Sequence, residues 1–369
     1  MRLIILSSKT GGGHEMRAQA LQEFCRTLDI ESVIIRPLEN GSNIYLMGTH
    51  LYNWIQRFYP KLHVIYFKFL EIASLHRDAQ KIAASYEFLR KVRGFSPNLV
   101  VSVHAHLNHG FLDLSKSINH KKPPKFLIYC GELADGIGFS KHWVNPAADL
   151  FCGPTKETIG AAIQRGMPID QCEVWGPLLR MPFYEEIDLK KMRLVCDKYK
   201  INPNFPTGLL ATGANGVNSH IKALRGLANA NSGIQIIALC GKSYSLYNRL
   251  KIMQKSLKFP VCPLLTIDAE EMHILLYLIE WVFGRPGAGL TSEVISSGKP
   301  MYFDISGGIM PQEQNNLNYW RSHIGEPVLF KNAFDLGSQL GNTYSPLPPR
   351  LLKNPGLISD RIKKFVLPS

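Results

Sequence analysis

The chain has 369 residues, too many for one comfortable core and suited to two domains of ordinary size. With 45% hydrophobic and 19% charged residues it reads as globular, and a net charge of +13 calls for an anionic partner: nucleic acid, an acidic lipid surface or a phosphorylated ligand. No apolar run approaches the roughly 20 residues of a membrane-spanning helix, Met1-Arg2 leads straight into a strand without a signal-peptide layout, and the 7 cysteines form no C-x-x-C pair; a cytosolic protein with buried free thiols and no zinc site is expected.

Leu3 to Leu6 is a short apolar run of the kind a buried parallel strand shows. It enters Ser7-Ser8-Lys9-Thr10-Gly11-Gly12-Gly13-His14 and then a helical pattern with Ala18, Leu21, Phe24 and Cys25 on one face. The loop has neither Gly-x-Gly-x-x-Gly spacing nor a Walker Lys-Ser/Thr, so it is not a dinucleotide fingerprint or a P-loop. Its glycines and His14 instead bring backbone amides and an imidazole to the mouth of a sheet, where open α/β folds bind ligands. A neutral His14 there can take a proton from an attacking hydroxyl. A His that merely lines the loop is the plainer alternative.

Ile30 to Ile35 reads as the second strand. From Asn43 to Phe69, Tyr, Trp and Phe interleave with basic residues, either as a surface that dips into a lipid headgroup layer or as core helices with a solvated face. Between Tyr45 and Arg93 the basic Arg57, Lys61, Lys68, Arg77, Lys81, Arg90, Lys91 and Arg93 outnumber Glu71, Asp78 and Glu87, the sign that anionic lipid prefers. Leu99 to Val103 is a β-branched strand ending at His104, followed by His106 and His109. Strand alternation would turn His109 away from the other two, with no acidic ligand adjacent, so no metal is expected and His104 reads as a ligand-facing residue. Lys125 to Cys130 is the next strand, and either Glu132 or Asp135 can stand at its end. A strand at Ala148 to Thr155, a helix ending at Gly166 and a short strand at Glu173-Val174 before a Pro-rich hinge close the first half.

A helix over Asp188 to Tyr199 precedes the apolar strand Thr207 to Ala211, which enters a second glycine-bearing loop with Gly213, Asn215 and Gly216. A helix at Ile221 to Ala228 and a strand at Gln235 to Cys240 follow, so strand-loop-helix-strand recurs and this half is also a doubly wound parallel sheet. Val261 to Ile267 and Trp281 to Phe283 are further strands. After the latter, Gly284, Gly287 and Gly289 let backbone amides approach a ligand that a side chain would block. The helix beyond them, expected to be capped near Thr291 or Ser292, aims its unpaired N–H groups and positive end at the same place, as phosphate binding needs. Glu293 is expected in its first turn, placed to accept hydrogen bonds from a ribose diol, or, more plainly, as a dipole-compensating charge. Gly298-Lys299-Pro300 ends the helix, Met301 to Phe303 is the next strand, and Gln312, Glu313, Gln314, Asn315 and Asn316 then offer amides and a carboxylate suited to sugar hydroxyls. Leu357 to Val366 is the last helix.

Arg285, Gly287, Gly289, Glu293, Gly298 and Pro300, followed by Gln312, Glu313 and Asn316, resemble the nucleotide-sugar signature of a glycosyltransferase family. That family holds plant and bacterial monogalactosyldiacylglycerol synthases, processive diacylglycerol glucosyltransferases and, more distantly, the peptidoglycan enzyme MurG. Thr10-Gly11-Gly12-Gly13-His14 is similar to its N-terminal motif. The resemblance implies an α/β fold of two Rossmann-like, doubly wound parallel-sheet domains facing a central cleft (GT-B type). Residues 1–178 would form an acceptor- and membrane-facing domain, 179–345 the nucleotide-sugar domain, and 346–369 a helix crossing back to the first. It further implies a UDP-sugar-dependent, inverting hexosyltransferase with a lipid acceptor, diacylglycerol foremost, peripheral on an anionic membrane; no metal is expected, since the chain has no Asp-x-Asp motif, and no nucleic-acid partner, since the basic residues are dispersed and form no recognised module. By the same resemblance His14 is the base, supported by Asp135 or Glu132, while Gly11, Gly12, Gly13 and His104 meet the acceptor. The implied donor set is Gly213, Asn215, Gly216, Arg285, Gly287, Gly289, Leu290, Thr291, Glu293, Gln312, Glu313 and Asn316. Leu290 stands where lipid-synthesising members carry Thr, Arg285 where they carry Lys, and no Thr-Asp pair follows the strand ending at Cys130, which leaves the donor sugar and the acidic residue open. The alternatives are MurG-like transfer to a polyprenyl-diphosphate-linked or soluble acceptor, and a UDP-sugar epimerase-like protein, which would need paired carboxylates about the sugar carbon.

Overall fold

The computed structural model describes residues 1–10, 12–41, 46–48, 50–51, 54–55, 62, 65, 67–69, 71, 77–79, 82, 85–211, 219–230, 233–348 and 355–366. The chain divides into two compact units, the first holding Met1–Ile55, Leu62–Met181 and Asn354–Ser369 and the second Pro182–Lys353.

The first unit is a parallel sheet of β1 (Arg2–Leu6), β2 (Glu31–Ile35), β3 (Leu99–Ser102), β4 (Lys125–Tyr129), β5 (Leu150–Gly153) and β6 (Cys172–Val174), in the order β2-β1-β3-β4-β5-β6. Leu3 to Leu6 are fully buried because helices cover both faces, which is why the run is apolar throughout rather than alternating. Helix α1 (Gly13–Thr27) returns over the sheet on Ala18, Leu21, Phe24 and Cys25, the face read from the spacing. At the carboxyl edge the chain stays paired past the strands: Ser7 N donates to Ile35 O at 3.0 Å and Val103 N to Leu6 O at 3.0 Å. Helix α2 (Lys156–Gln164) is capped by Thr155, whose hydroxyl accepts from the Thr158 amide.

The second unit repeats the scheme with β7 (Thr207–Ala211), β8 (Gln235–Leu239), β9 (Val261–Leu264), β10 (Trp281–Gly284), β11 (Met301–Asp304) and β12 (Val328–Phe330), in the order β12-β11-β10-β7-β8-β9. All strand pairs in both sheets are parallel. Helix α3 (Ala288–Ser297) starts earlier than the expected cap at Thr291 or Ser292, because Gly287 is extended and its carbonyl already accepts the Thr291 amide at 2.9 Å. Thr291, Ser292 and Glu293 therefore lie inside the helix and are buried, and Glu293 sits in the second turn, not the first. Gly298, at φ +65°, ends α3 in the left-handed conformation that glycine adopts without penalty. The polar stretch after β11 is a helix, α4 (Pro311–His323), opened by Pro311 and by the Glu313 carboxylate accepting the Met310 amide.

The final helix, α5 (Pro355–Val366), belongs to the first unit, where Arg361 pairs with Glu173 at 2.7 Å and Lys125 Nζ donates to Phe365 O at 2.6 Å. All 7 cysteines are free thiols, with Cys172 and Cys262 part-exposed and the others buried. No helix among the described residues is long and apolar enough to cross a membrane.

Candidate functional site

Two groups of chemically active residues form, one in each unit, each past the carboxyl end of its sheet. In the first, His14 is the second residue of α1, behind the cap residue Gly12, which offers no side-chain bond to the helix. His14 Nδ1 lies 2.7 Å from Val103 O at the end of β3. A carbonyl only accepts, so the proton sits on Nδ1 and Nε2 carries the lone pair. Desolvation, and then the Arg17 charge, lower the His14 pKa from 6.5 to about 4 against the pull of the Val103 bond. At neutral pH the ring is a neutral base.

His104 packs against His14 with ring centroids 4.4 Å apart. Its Nδ1 accepts the His106 amide at 3.3 Å, so its Nε2–H donates to Thr10 Oγ1 at 2.9 Å. From Thr10 the bonds continue to Ser8 Oγ at 3.1 Å and to Glu39 Oε1 at 2.8 Å from Ser8, while the Lys9 amide also donates to Glu39. His104 is 5% exposed and ties the end of β3 to Thr10; the sequence reading has it meet the acceptor.

The structure separates the two candidate carboxylates. Asp135 is half-exposed and bound by Arg165 at 2.6 Å and by the Gly136 amide at 2.7 Å; desolvation opposes them, but these partners draw its pKa below the usual value. Glu132 is 8% exposed beside Arg17 and Trp143, with Oε2 lacking a hydrogen-bond partner among the described residues. Desolvation raises its pKa to about 7, opposed by the Arg17 charge and a hydrogen bond from the Trp143 side chain. Thr158 and Thr155, at the start of α2, fix this turn through bonds to the carbonyls of Glu132 and Leu133. Only Glu132 joins the His14 group.

In the second unit, Gly287 caps α3 without a side-chain bond, so the first amides of the helix keep their donors open. Arg285 forks onto Glu313, donating Nε at 2.8 Å and Nη2 to the other oxygen, and also reaches Gly308 O at 2.8 Å. Glu313, read from sequence as facing sugar hydroxyls, is engaged by Arg285 and the Met310 amide instead. Asn316 Nδ2 donates to Pro286 O at 2.8 Å. Around this loop four buried atoms have no hydrogen-bond partner among the described residues: Arg285 Nη1, Thr291 Oγ1, Gln312 Oε1 and Asn316 Oδ1. Buried polar atoms left unpaired are uncommon and are the natural places for ligand groups. Leu290 can offer only its backbone, its side chain lying against Gly284.

Gly11, Gly213, Asn215 and Gly216 lie outside the described residues, as does most of the aromatic and basic stretch. Among the described residues no three His, Cys, Asp or Glu side chains converge as a metal site would need. The sequence reading missed Arg17 and Glu39, which look like ordinary helix residues until the fold brings Gly131 and Ser8 to them.

The architecture defines a class, that of two doubly wound parallel α/β units of the GT-B type. MurG of Acinetobacter baumannii shares it, with a TM-score of 0.53 at 12% identity over 100% of this chain and 95% of that one. So does the UDP-GlcNAc 2-epimerase of Neisseria meningitidis bound to UDP-GlcNAc, with a TM-score of 0.58 at 12% identity over 100% of both chains. No family model matches the sequence. Curated relatives include the chloroplastic monogalactosyldiacylglycerol synthase 1 of Arabidopsis thaliana, 23% identical over 86% of this chain. Another is the processive diacylglycerol beta-glucosyltransferase of Bacillus pumilus, 21% identical over 92% of this chain and 86% of its own length. The chain spans 60% of the length of that Arabidopsis synthase 1 and of the probable synthase of Nicotiana tabacum. These relatives carry the names of the family that the motifs resemble.

Proposed function

We propose that the protein is an inverting glycosyltransferase that moves a hexose from a UDP-sugar to the hydroxyl of a lipid acceptor, diacylglycerol foremost. The observation that carries this reading is the His14 ring, held neutral with its Nδ1–H on Val103 O and a lone pair on Nε2. The acceptor oxygen attacks the anomeric carbon, its proton passes to His14 Nε2, and the bond to UDP breaks with its electron pair leaving on the diphosphate. Attack opposite the leaving group inverts the anomeric centre. In the second unit the open amides of α3, its positive end and Arg285 Nη1 take up the diphosphate charge, the part a metal would otherwise play. Gln312 Oε1, Asn316 Oδ1 and Thr291 Oγ1 accept hydrogen bonds from the bound donor, and Glu293 from its ribose.

A peripheral membrane setting is supported by the exposed apolar side chains among the described residues of the aromatic and basic stretch: Trp54 is 49% exposed, Ile65 67% and Phe69 58%. The +13 net charge favours anionic lipid there. The test is incubation of the purified protein with radiolabelled UDP-galactose, UDP-glucose or UDP-GlcNAc and vesicles of diacylglycerol mixed with anionic phospholipid. A labelled lipid-soluble product is expected. Label passing only to a polyprenyl-diphosphate or soluble acceptor would select the MurG-like reading, and an isomerised UDP-sugar without acceptor the epimerase-like one.

A further inference from the structure

We propose that Arg17 is a positioning residue, a buried cation that ties the helix of His14 to the turn of Glu132 and sets a fixed positive charge beside the base. The proposal rests on the reading of His14 as the base. Arg17 lies three residues beyond His14, on the same side of α1, and is 6% exposed. Its Nη2 donates to Gly131 O at 2.7 Å, and its Nη1 lies 3.5 Å from where a Cβ on Gly13 would stand. The guanidinium therefore spans from the first turn of α1 to the chain leaving β4.

Gly131 shows that this placement is built in. A Cβ there would come within 1.9 Å of Arg17 Cζ and 2.1 Å of Nε, so any side chain would evict the guanidinium. Gly131 is not among the positive-φ glycines, so space for Arg17, and not backbone conformation, is what a glycine supplies here. No carboxylate lies within ion-pair distance of Arg17 among the described residues, so its charge is buried at a cost that no ion pair offsets, which points to a use for it.

The use follows from its neighbours. His14 is faced by Arg17 from its own helix, by His104 from the end of β3 and by the neutral Trp143 ring at 6.1 Å. Arg17 is faced in turn by Glu132 and by the Cys130 thiol. The guanidinium is thus the fixed positive charge of the group, repelling a proton from His14 while favouring the ionised form of Glu132. Once the base has taken the acceptor proton, the same repulsion helps to expel it.

The experiment follows the ring nitrogens of His14 by NMR across pH 3.5 to 8, with the signal assigned by its loss in H14Q, in wild type, R17M, R17K and G131A. In R17M and G131A the His14 midpoint is expected to rise by about one pH unit, with the double variant no further shifted than R17M alone. R17K keeps a charge but loses the planar guanidinium seated over Gly131, so its midpoint stays low while kcat falls and KM is retained. An unmoved midpoint in G131A or R17M, or a midpoint in R17K as high as in R17M, overturns the proposal. G131A moves only the flexible end of Arg17 and decides the matter if R17M does not fold. The titration needs no turnover, so an inactive wild-type protein would sink the transferase reading and leave this test standing.

Discussion

The starts of α1 and α3 are the same device furnished in two ways. Each follows an interior strand of a parallel sheet, β1 or β10, and each is capped by a glycine, so no cap side chain occupies the first amides of the helix. Around α1 the buried polar groups are titratable and displaced from their usual pKa values, His14 down to about 4 and Glu132 up to about 7. Around α3 Arg285 and Glu313 neutralise each other in their fork, and what is left unpaired around the loop among the described residues is one guanidinium nitrogen, a hydroxyl and two amide oxygens. A site that keeps a base neutral next to a protonatable acid is equipped to move a proton. A site whose one cation is held by a carboxylate and whose spare atoms are hydrogen-bonding groups is equipped to hold a polar ligand without reacting with it.

The contrast predicts opposite phenotypes. His14→Gln keeps the size and a hydrogen-bonding end but removes the base, so transfer should fall by roughly 10² to 10⁴, while UDP affinity by calorimetry stays at the wild-type value. Loss of UDP binding in a folded H14Q protein would erase the division of labour. Glu313→Ala works the other way. It strands the Arg285 guanidinium, 8% exposed, without its carboxylate, and the thermal unfolding free energy should drop by about 3–5 kcal/mol with UDP binding weakened in parallel. A variant as stable as wild type would mean that the fork is not what orders the loop.

Acid and base should also act unequally on the two units. His14 and His109 in the first unit and His220 in the second all have pKa values lowered to about 4, chiefly by desolvation. The unfolded chain takes up those protons near 6.5, so as pH falls from 6.5 towards 4 the unfolded state binds more protons and stability is lost. Glu132 carries the reverse sign: neutral in the fold up to about 7 but ionised near 4.5 when unfolded, it costs stability as pH rises through that window. Glu132→Gln should therefore raise the melting temperature at pH 7.5 and leave it nearly unchanged at pH 4. Equal shifts at both values would show that the carboxyl is not held neutral.

Much of this was written in the order of the residues, and the failures have identifiable causes. The buried strands announced themselves as short apolar runs, because parallel strands covered on both faces have no polar side to confuse the pattern. Helix α4 escaped because Gln312, Glu313, Gln314, Asn315 and Asn316 look like a polar loop; its helical face emerges only with Leu317, Tyr319 and Trp320 buried further on. Glu293 was placed one turn too early because hydroxyl residues are favoured caps, whereas here Gly287 serves and Thr291 lies within the helix. Glu132 and Asp135 could not be separated in the sequence, since what separates them is the reach of Arg165 from α2 to one and of Arg17 from α1 to the other.

The finest test of the contrast is Thr291→Val. The Thr291 hydroxyl is fully buried in α3 and its Oγ1 has no hydrogen-bond partner among the described residues, so to the stability of the fold it contributes nothing that a methyl group of the same shape would not. Removing an unsatisfied hydroxyl relieves a desolvation cost, and stability should stay level or rise by up to about 1 kcal/mol. If the atom is kept for a ligand, the same change should weaken UDP or UDP-sugar binding by about three- to tenfold, the worth of one neutral hydrogen bond. Stability and affinity would then move in opposite directions. A variant in which both fall together would make Thr291 an ordinary packing residue, and the second unit would lose one of the four atoms on which its reading as a ligand cradle rests.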